Sequence, residues 1–555
     1  MKSEIKLELS RVKQRRIFME LEQIQAPVSN KLLADYWSDD APIHTFFDHQ
    51  YNANAFEVRA AYLKQRDYRS QELAQIIRNY MNPFGISQQT EQHLQELSQG
   101  ALVIVGGQQS GLLTGPLYSV HKAISVILLA NEKRTQLKTA VVPMFWIAGE
   151  DHDLEEINHT FTIVDAQVKK RGYSERSKYK TMASTTELNQ EALTQFIQTT
   201  FKDFGETEYT ESLLDSVLAH ASESTMFTDF FSRLMNDLFK NHGLLMLDAT
   251  YAPFRDYEKA YFAALIEHNE DIAHQVVAQE QKLADAGYHK PIEATENNAN
   301  LFYVKEGERF LLERKENYYK NVLAHVNFTK DELLQLANDN PQALSNNVVT
   351  RPLMQEMTIP VLAFVGGPGE LAYWATLKPA FHTLQLQMPI FAPRMNITLV
   401  TRQVQALLKE TETTVAEALD NQIEVKLANF IDQIRDDESQ QFIEMMQQQL
   451  QIQYEQFEQQ LKERYSLNGL LEKNMNYHKR QFDYLQVKIE QQNIEQHDVA
   501  IRQYNTLQAQ LYPNKGYQER VYNPYLYLNE YGPTLIDDLL ALSMSISDQH
   551  KIVFL

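Results

Sequence analysis

Two short apolar runs, at residues 101–105 and 141–148, stop abruptly at clusters of glycine and polar residues, GGQQSG and GEDHD. Runs of this length bounded by glycine are buried strands. Between them Leu117, Val120, Ile124, Ile127 and Leu128 recur on one helical face. The stretch from Ala101 to Thr160 therefore predicts strand, crossover helix and parallel strand. Three more apolar runs, at 244–247, 360–365 and 389–392, end in DAT, GGPGE and PRMN. Open parallel sheets bind ligands outside the carboxyl ends of their strands, so these polar ends converge on one cleft.

The residue types at those ends bound the chemistry. Glycines at 106, 107, 111 and 115 keep the backbone open ahead of Pro116, a residue suited to begin a helix. Tyr118, His121 and Lys122 share a face near that helix start, where free N–H groups favour a phosphate or carboxylate. The stretch has neither the Gly-Lys-Ser/Thr of a Walker A loop nor GxGxxG, so neither nucleotide fingerprint is supported. Glu150, Asp151, His152 and Asp153 stand in a row at the second strand end, with Glu155, Glu156 and His159 behind. A carboxylate there can orient an amine or a ribose, and His152 can donate to a phosphoryl or carboxyl oxygen. The competing reading is a solvated helix start rich in acids.

A net charge of −21 argues against non-specific nucleic-acid binding. The absence of cysteine excludes disulfides, thiolate metal sites and a catalytic thiol. The opening residues lack the apolar segment of a secretory signal, and no apolar run reaches the roughly 20 residues of a membrane span. A soluble, cytoplasmic protein is expected.

At 555 residues the chain predicts a composite α/β domain with appendages. We divide it into a polar helical region (1–100), the first half of the core (101–160), an insertion (161–235), a core strand (236–255), a second insertion (256–340), the second half of the core (341–400), a helical coiled coil (401–511) and a tail returning to the core (512–555). The first insertion opens with a basic cluster, Lys169, Lys170, Arg171, Arg176, Lys178 and Lys180, read mainly as a solvated face. The second contains a hairpin at 300–313 turning at Glu306-Gly307. In the coiled coil, Ile443, Met446, Leu450, Tyr454, Phe457 and Leu461 make a helical stripe, continued by Leu471, Met475, Phe482, Leu485 and Ile489 after a break at 467–469. This predicts an antiparallel helical hairpin, projecting or used to dimerise.

GGQQSGLLTGPLYSVHK, FWIAGEDHDLEEINH, SNNVVTRPLMQE, FVGGPGELAYW and PNKGYQERVYNP, in that order, resemble the bacillithiol biosynthesis cysteine-adding family, BshC. The resemblance runs from about residue 35 to the end. It implies a Rossmann-like core similar to class I aminoacyl-tRNA synthetases, interrupted by connecting-peptide insertions, with a C-terminal α-helical coiled coil supporting a homodimer. It further implies a ligase that joins cysteine to the amine of glucosaminyl-malate, with ATP and Mg²⁺ activating the cysteine carboxylate. In that frame Asp151 or Glu150 faces the cysteine amine, while Gln108, Gln109, Thr114 and the helix start hold phosphate or carboxylate oxygens. His121, Lys122, His152 and Arg394 neutralise developing charge, and Arg351 pairs with the malyl carboxylate. Asp153 completes the catalytic candidates; Gly107, Tyr118, Trp146, His159, Glu370, Tyr373 and Trp374 complete the binding set. Two alternatives stand beside this reading: a metal-dependent hydrolase built on Glu150-Asp151-His152-Asp153, although no HExxH spacing is present, and a coiled-coil scaffold whose cleft only binds a ligand.

Overall fold

The structure, a computed structural model, describes residues 19–27, 30–38, 42–174, 181–461, 464–465 and 467–555. These divide into two compact units, one drawn from 1–164, 168–401 and 516–555, the other from 402–515 together with 165–167. Arg176, Lys178 and Lys180 of the basic cluster lie outside the described residues.

The first unit is built on a five-stranded sheet of β1 (Leu102–Gln108), β2 (Val141–Ile147), β3 (Leu245–Asp248), β4 (Val361–Gly366) and β5 (Ile390–Pro393), in the spatial order β5-β4-β1-β2-β3. Every pairing is parallel. Read from the other edge this is 3-2-1-4-5, the Rossmann order, whose direction reverses between β1 and β4. Each strand falls within a few residues of its predicted apolar run because parallel strands covered on both faces must be apolar throughout. In β2 all seven residues are buried.

Register aligns the strand ends. Gln108 pairs with Ile147, which in turn pairs with Asp248, and Gly366 pairs with Pro393. The crossover helix α1 (Leu117–Leu137) runs between β1 and β2. Leu117, Val120, Ile124 and Ile127 are buried as their spacing requires, while Leu128 is half-buried. His121, Lys122 and Ser125, off that stripe, are buried as well. The helix is thus enclosed on more than one face, which a single apolar stripe does not reveal.

Glycine appears in β1 because neighbours approach too closely for a side chain. A Cβ at Gly106 would lie 2.7 Å from Val126 Cγ2 on α1, and one at Gly107 2.5 Å from the Trp146 carbonyl oxygen. Strand packs on helix through a side chain at the first point, and strand on strand through backbone at the second.

The second insertion forms an antiparallel sheet of 326–329, 318–321, 308–315 and 298–305, in that order, and 344–346, from the segment expected to resume the core, adds its edge strand beside 298–305. Its central hairpin turns at Glu306 and Gly307, whose φ angles of 52° and 80° are both positive, as a two-residue hairpin of right-handed twist requires. The strands at 318–321 and 326–329 were not foreseen; YYKN and VNFT are too short and polar to stand out. The tail also joins this unit: His550–Phe554 pairs antiparallel with Glu20–Ile24 and parallel with Ile397–Val400.

In the second unit the long helices Asp437–Leu461 and Asn468–Gln496 form an antiparallel hairpin. Tyr454, late in the first, bonds Asn474, early in the second, and Asn493, late in the second, bonds the carbonyl of Ile434 just ahead of the first. Ile443 and Met475 of the predicted stripe are buried, whereas Phe457 and Leu485 stay exposed. No described helix is long and apolar enough to cross a membrane.

Candidate functional site

A cleft of about 700 Å³ opens at the carboxyl ends of the strands, where β1 and β4 diverge. Gly107, Gln108 and Gln109 follow β1, Tyr118 and Lys122 come from α1, and Glu150 and Asp151 follow β2. Gly367, Pro368, Gly369, Glu370 and Tyr373 follow β4, and Arg394 follows β5. The antiparallel sheet contributes Phe302, Arg309 and Asn346, the next segment Asn347 and Arg351, and the tail Arg520.

Lys122 is the buried centre of one wall. Its Nζ donates to the Gly107 carbonyl at 2.7 Å, to Gln108 Oε1 at 3.1 Å and to Glu370 Oε2 at 2.6 Å. Glu370 also accepts from the Gly367 N–H at 2.8 Å, which ties the ends of β1 and β4 together. Burial pulls the Lys122 ammonium below the ordinary lysine range, and the attraction of Glu370 only partly restores it.

Glu150 is held deeper. Its Oε2 accepts from Arg255 Nη2 at 2.5 Å and from Ser345 Oγ at 2.7 Å. Burial pushes this carboxyl up, but Arg255 and Arg309 outweigh it and hold it below its usual value. Arg255 also reaches Glu258 at 2.9 Å, and burial pushes that second carboxyl up to about 8. Asp151 is more open and accepts from Gln109 Nε2 at 2.7 Å.

On the opposite side Arg394 donates through both terminal nitrogens to Glu519, at 2.8 and 2.7 Å. His121 donates from Nδ1 to the same carboxylate at 2.9 Å, and the Ile397 N–H adds a fourth bond at 3.2 Å. Burial pushes Glu519 up, but the Arg394 guanidinium and the hydrogen bond from His121 reverse the effect and hold it far below the carboxylate range. Burial also lowers His121, which is fully enclosed. Arg351 differs from Arg394: its guanidinium donates to the Tyr373 hydroxyl, with no carboxylate paired to it among the described residues. Burial pushes that hydroxyl up to about 12, so it stays protonated. Arg520 is exposed at the rim and likewise has no described ion pair. Five cationic side chains against three carboxylates make this cleft positive within a protein of net charge −21. Such a local field draws anionic ligands.

Of the residues singled out from the sequence, Gly107, Gln108, Gln109, Tyr118, Lys122, Glu150, Asp151, Arg351, Glu370, Tyr373 and Arg394 line the cleft. Seven others do not. His121 lies behind the wall on Glu519, and Thr114 is buried in the loop before α1 with φ at 67°. Trp146 packs edge-on against Phe254 inside the core, and Trp374 stacks on Phe364 at 4.7 Å. His152 sits half-buried near the Phe302 ring, Asp153 is exposed, and His159 donates to the Glu155 carbonyl at 3.0 Å. The four-residue acidic run therefore splits, and no group of three or more His, Asp or Glu among the described residues is placed to hold a metal ion. Arg309, Asn346, Asn347, Phe302 and Arg520 were missed. Arg520 sits inside PNKGYQERVYNP, a motif visible in sequence whose position in space was not.

With this geometry in view, the comparisons with known proteins decide the family. Residues 19–395 match the family model described as "Bacillithiol biosynthesis BshC, N-terminal Rossmann-like domain", and 397–555 match its "C-terminal coiled-coil domain". The chain belongs to the bacillithiol biosynthesis BshC family. A relative from Lysinibacillus sphaericus is 54% identical over 97% of this chain and 100% of its own length. One from Geobacillus kaustophilus is 38% identical over 97% and 100%, and one from Bacillus licheniformis 34% over 96% and 100%. Each carries the name "Putative cysteine ligase BshC". The family boundary near 396 falls just after β5, close to the division between the two compact units.

Proposed function

We propose that this chain is a cysteine ligase of bacillithiol biosynthesis, forming an amide between the cysteine carboxyl and the amine of glucosaminyl-malate. The observation that supports it best is a positive cleft at the switch point of a Rossmann sheet, lined by Arg309, Arg351 and Arg520 with no carboxylate ion pair among the described residues, in a chain whose full-length relatives bear the ligase name. Arg351, with a planar fork of donors, is assigned to the malyl carboxylate. Asp151, the more open carboxylate, is assigned to the cysteine ammonium group. Lys122 and Arg394 stabilise charge that develops on the acyl oxygens as the amine attacks.

We assign ATP and Mg²⁺ as co-substrates, since a free carboxylate does not acylate an amine without activation: a phosphoanhydride bond of ATP breaks as the cysteine carboxyl oxygen takes the phosphoryl or adenylyl group, and that group departs with the oxygen as the amine, losing a proton, forms the amide. The cleft fits a polyanion: its cations outnumber its carboxylates. Glu150 and Glu370 are already held by Arg255 and Lys122, so Lys122, Arg351 and Arg394 would hold the nucleotide phosphates and Mg²⁺ would supply further charge neutralisation there. The protein's part is to bring carboxyl and amine together, hold their charges and exclude water. We place the reaction in the cytoplasm. We also assign a homodimer through the helical hairpin, whose exposed Phe442, Met445, Ile452, Phe457 and Tyr484 support a covered face.

Purified protein incubated with glucosaminyl-malate, cysteine, ATP and Mg²⁺ is expected to yield a thiol product heavier by one cysteinyl residue, measured by mass spectrometry. Because the chain has no cysteine, any thiol in that product comes from substrate. Both substrates bound in the presence of ATP without product would refute the ligase assignment for the protein alone.

A further inference from the structure

Asn346 ends the short strand Leu344–Asn346, on the wall that the antiparallel sheet gives to the cleft. It is 1% exposed, and neither its Oδ1 nor its Nδ2 has a hydrogen-bond partner among the described residues. Buried amides are nearly always paired, so a doubly unpaired one beside a ligand cleft points to a ligand partner. Its neighbours are committed. Ser345 Oγ donates to Glu150, while Asn347 Oδ1 accepts from the Val349 and Thr350 N–H groups. Asn347 Nδ2 donates to Asn300 Oδ1. The Asn346 carbonyl accepts from Arg309 Nη2 at 2.5 Å, which fixes the main chain and leaves the side-chain amide as the open group.

We propose that Asn346 is a specificity-determining residue that reads two neighbouring hydroxyls on the sugar ring of the glycoside substrate, an inference that rests on the ligase reading above. A carboxamide offers a donor and an acceptor side by side. A carboxylate or phosphate offers acceptors only and an ammonium group donors only, so neither satisfies both atoms. Two vicinal hydroxyls satisfy both, because each can donate and accept. An adenine edge also offers both, but it needs a flat apolar face to stack on. The aromatic ring of this wall, Phe302, already has the Arg309 guanidinium 3.9 Å from its centroid. The surrounding Asn298 and Arg309 suit a polyol instead.

The test is calorimetric titration with glucosaminyl-malate, malate and ATP. Asn346→Ala is expected to bind the glycoside about 10- to 100-fold more weakly, with malate and ATP affinity unchanged. Wild-type protein should show the same loss toward a glycoside lacking one ring hydroxyl. That arm decides the matter if the variant does not fold. A variant that binds the glycoside as wild type does, or loses ATP affinity alone, overturns this proposal and leaves the ligase reading standing. Wild-type protein that binds no glycoside overturns both.

Discussion

Glu519 offers the sharpest test of how this site is held together. Its carboxylate is 1% exposed and accepts four hydrogen bonds, two from Arg394 and one each from His121 and the Ile397 N–H. Glu519→Gln keeps the shape and one acceptor oxygen but leaves the buried Arg394 guanidinium without its counter-charge. Removing one partner of a buried ion pair costs about 3–5 kcal/mol, a large share of the roughly 5–15 kcal/mol that a domain has in total. The retained oxygen puts the expectation near 3 kcal/mol. Replacing both partners with apolar residues of similar volume is far less costly, because no charge is left buried. Arg394→Met with Glu519→Leu should therefore be more stable than Glu519→Gln alone. Urea unfolding followed by tryptophan fluorescence reads this cleanly, since Trp37, Trp146 and Trp374 all lie in the first unit. A loss below about 1 kcal/mol in Glu519→Gln, or a double variant no better than it, would refute the reasoning.

Two further outcomes follow from the strand ends. A Cβ on Gly149 would sit 2.3 and 2.6 Å from the Asp248 carboxylate oxygens, so Gly149→Ala should cost about 1–3 kcal/mol and displace Glu150 and Asp151; unaltered stability together with unaltered turnover would contradict this packing. Asp248 is pushed up to about 6 by burial, against about 3.9 for an unfolded chain. The folded protein therefore holds that proton more tightly, and this stabilisation is full below about pH 4 and fades as pH rises to about 6. Asp248→Asn keeps an acceptor for the Thr250 N–H, 2.9 Å away, and should remove that slope from a plot of stability against pH. Parallel curves for variant and wild type across that range would count against the buried-acid reading.

The strands, the crossover helix and the place of the cleft were legible in the sequence for one reason. Burial on both faces of a parallel sheet demands uninterrupted apolar runs, and turning out of it demands glycine and polar residues. Lys122 and Glu370 were found because each follows a strand end. Their bond, bridging positions 248 residues apart, was not visible. His121 shows the limit most clearly. Beside Lys122 on the chain it looks like a second cleft residue, yet a glutamate 398 residues later claims its Nδ1. Trp146 and Trp374 look like ligand aromatics beside polar motifs, but the alternation of the strand and the turn of the helix point them into the core. Sequence by itself determined which residues are apolar, which segments turn and where strand ends meet, because these depend on local pattern. Only the tertiary structure decided which polar groups are paired with one another and which are left for a ligand. That depends on the partner each buried charge or amide meets after the chain has folded back, as with Glu519 and Arg520 from the tail, and an uncommitted group such as Asn346 is recognisable only once all its neighbours are accounted for.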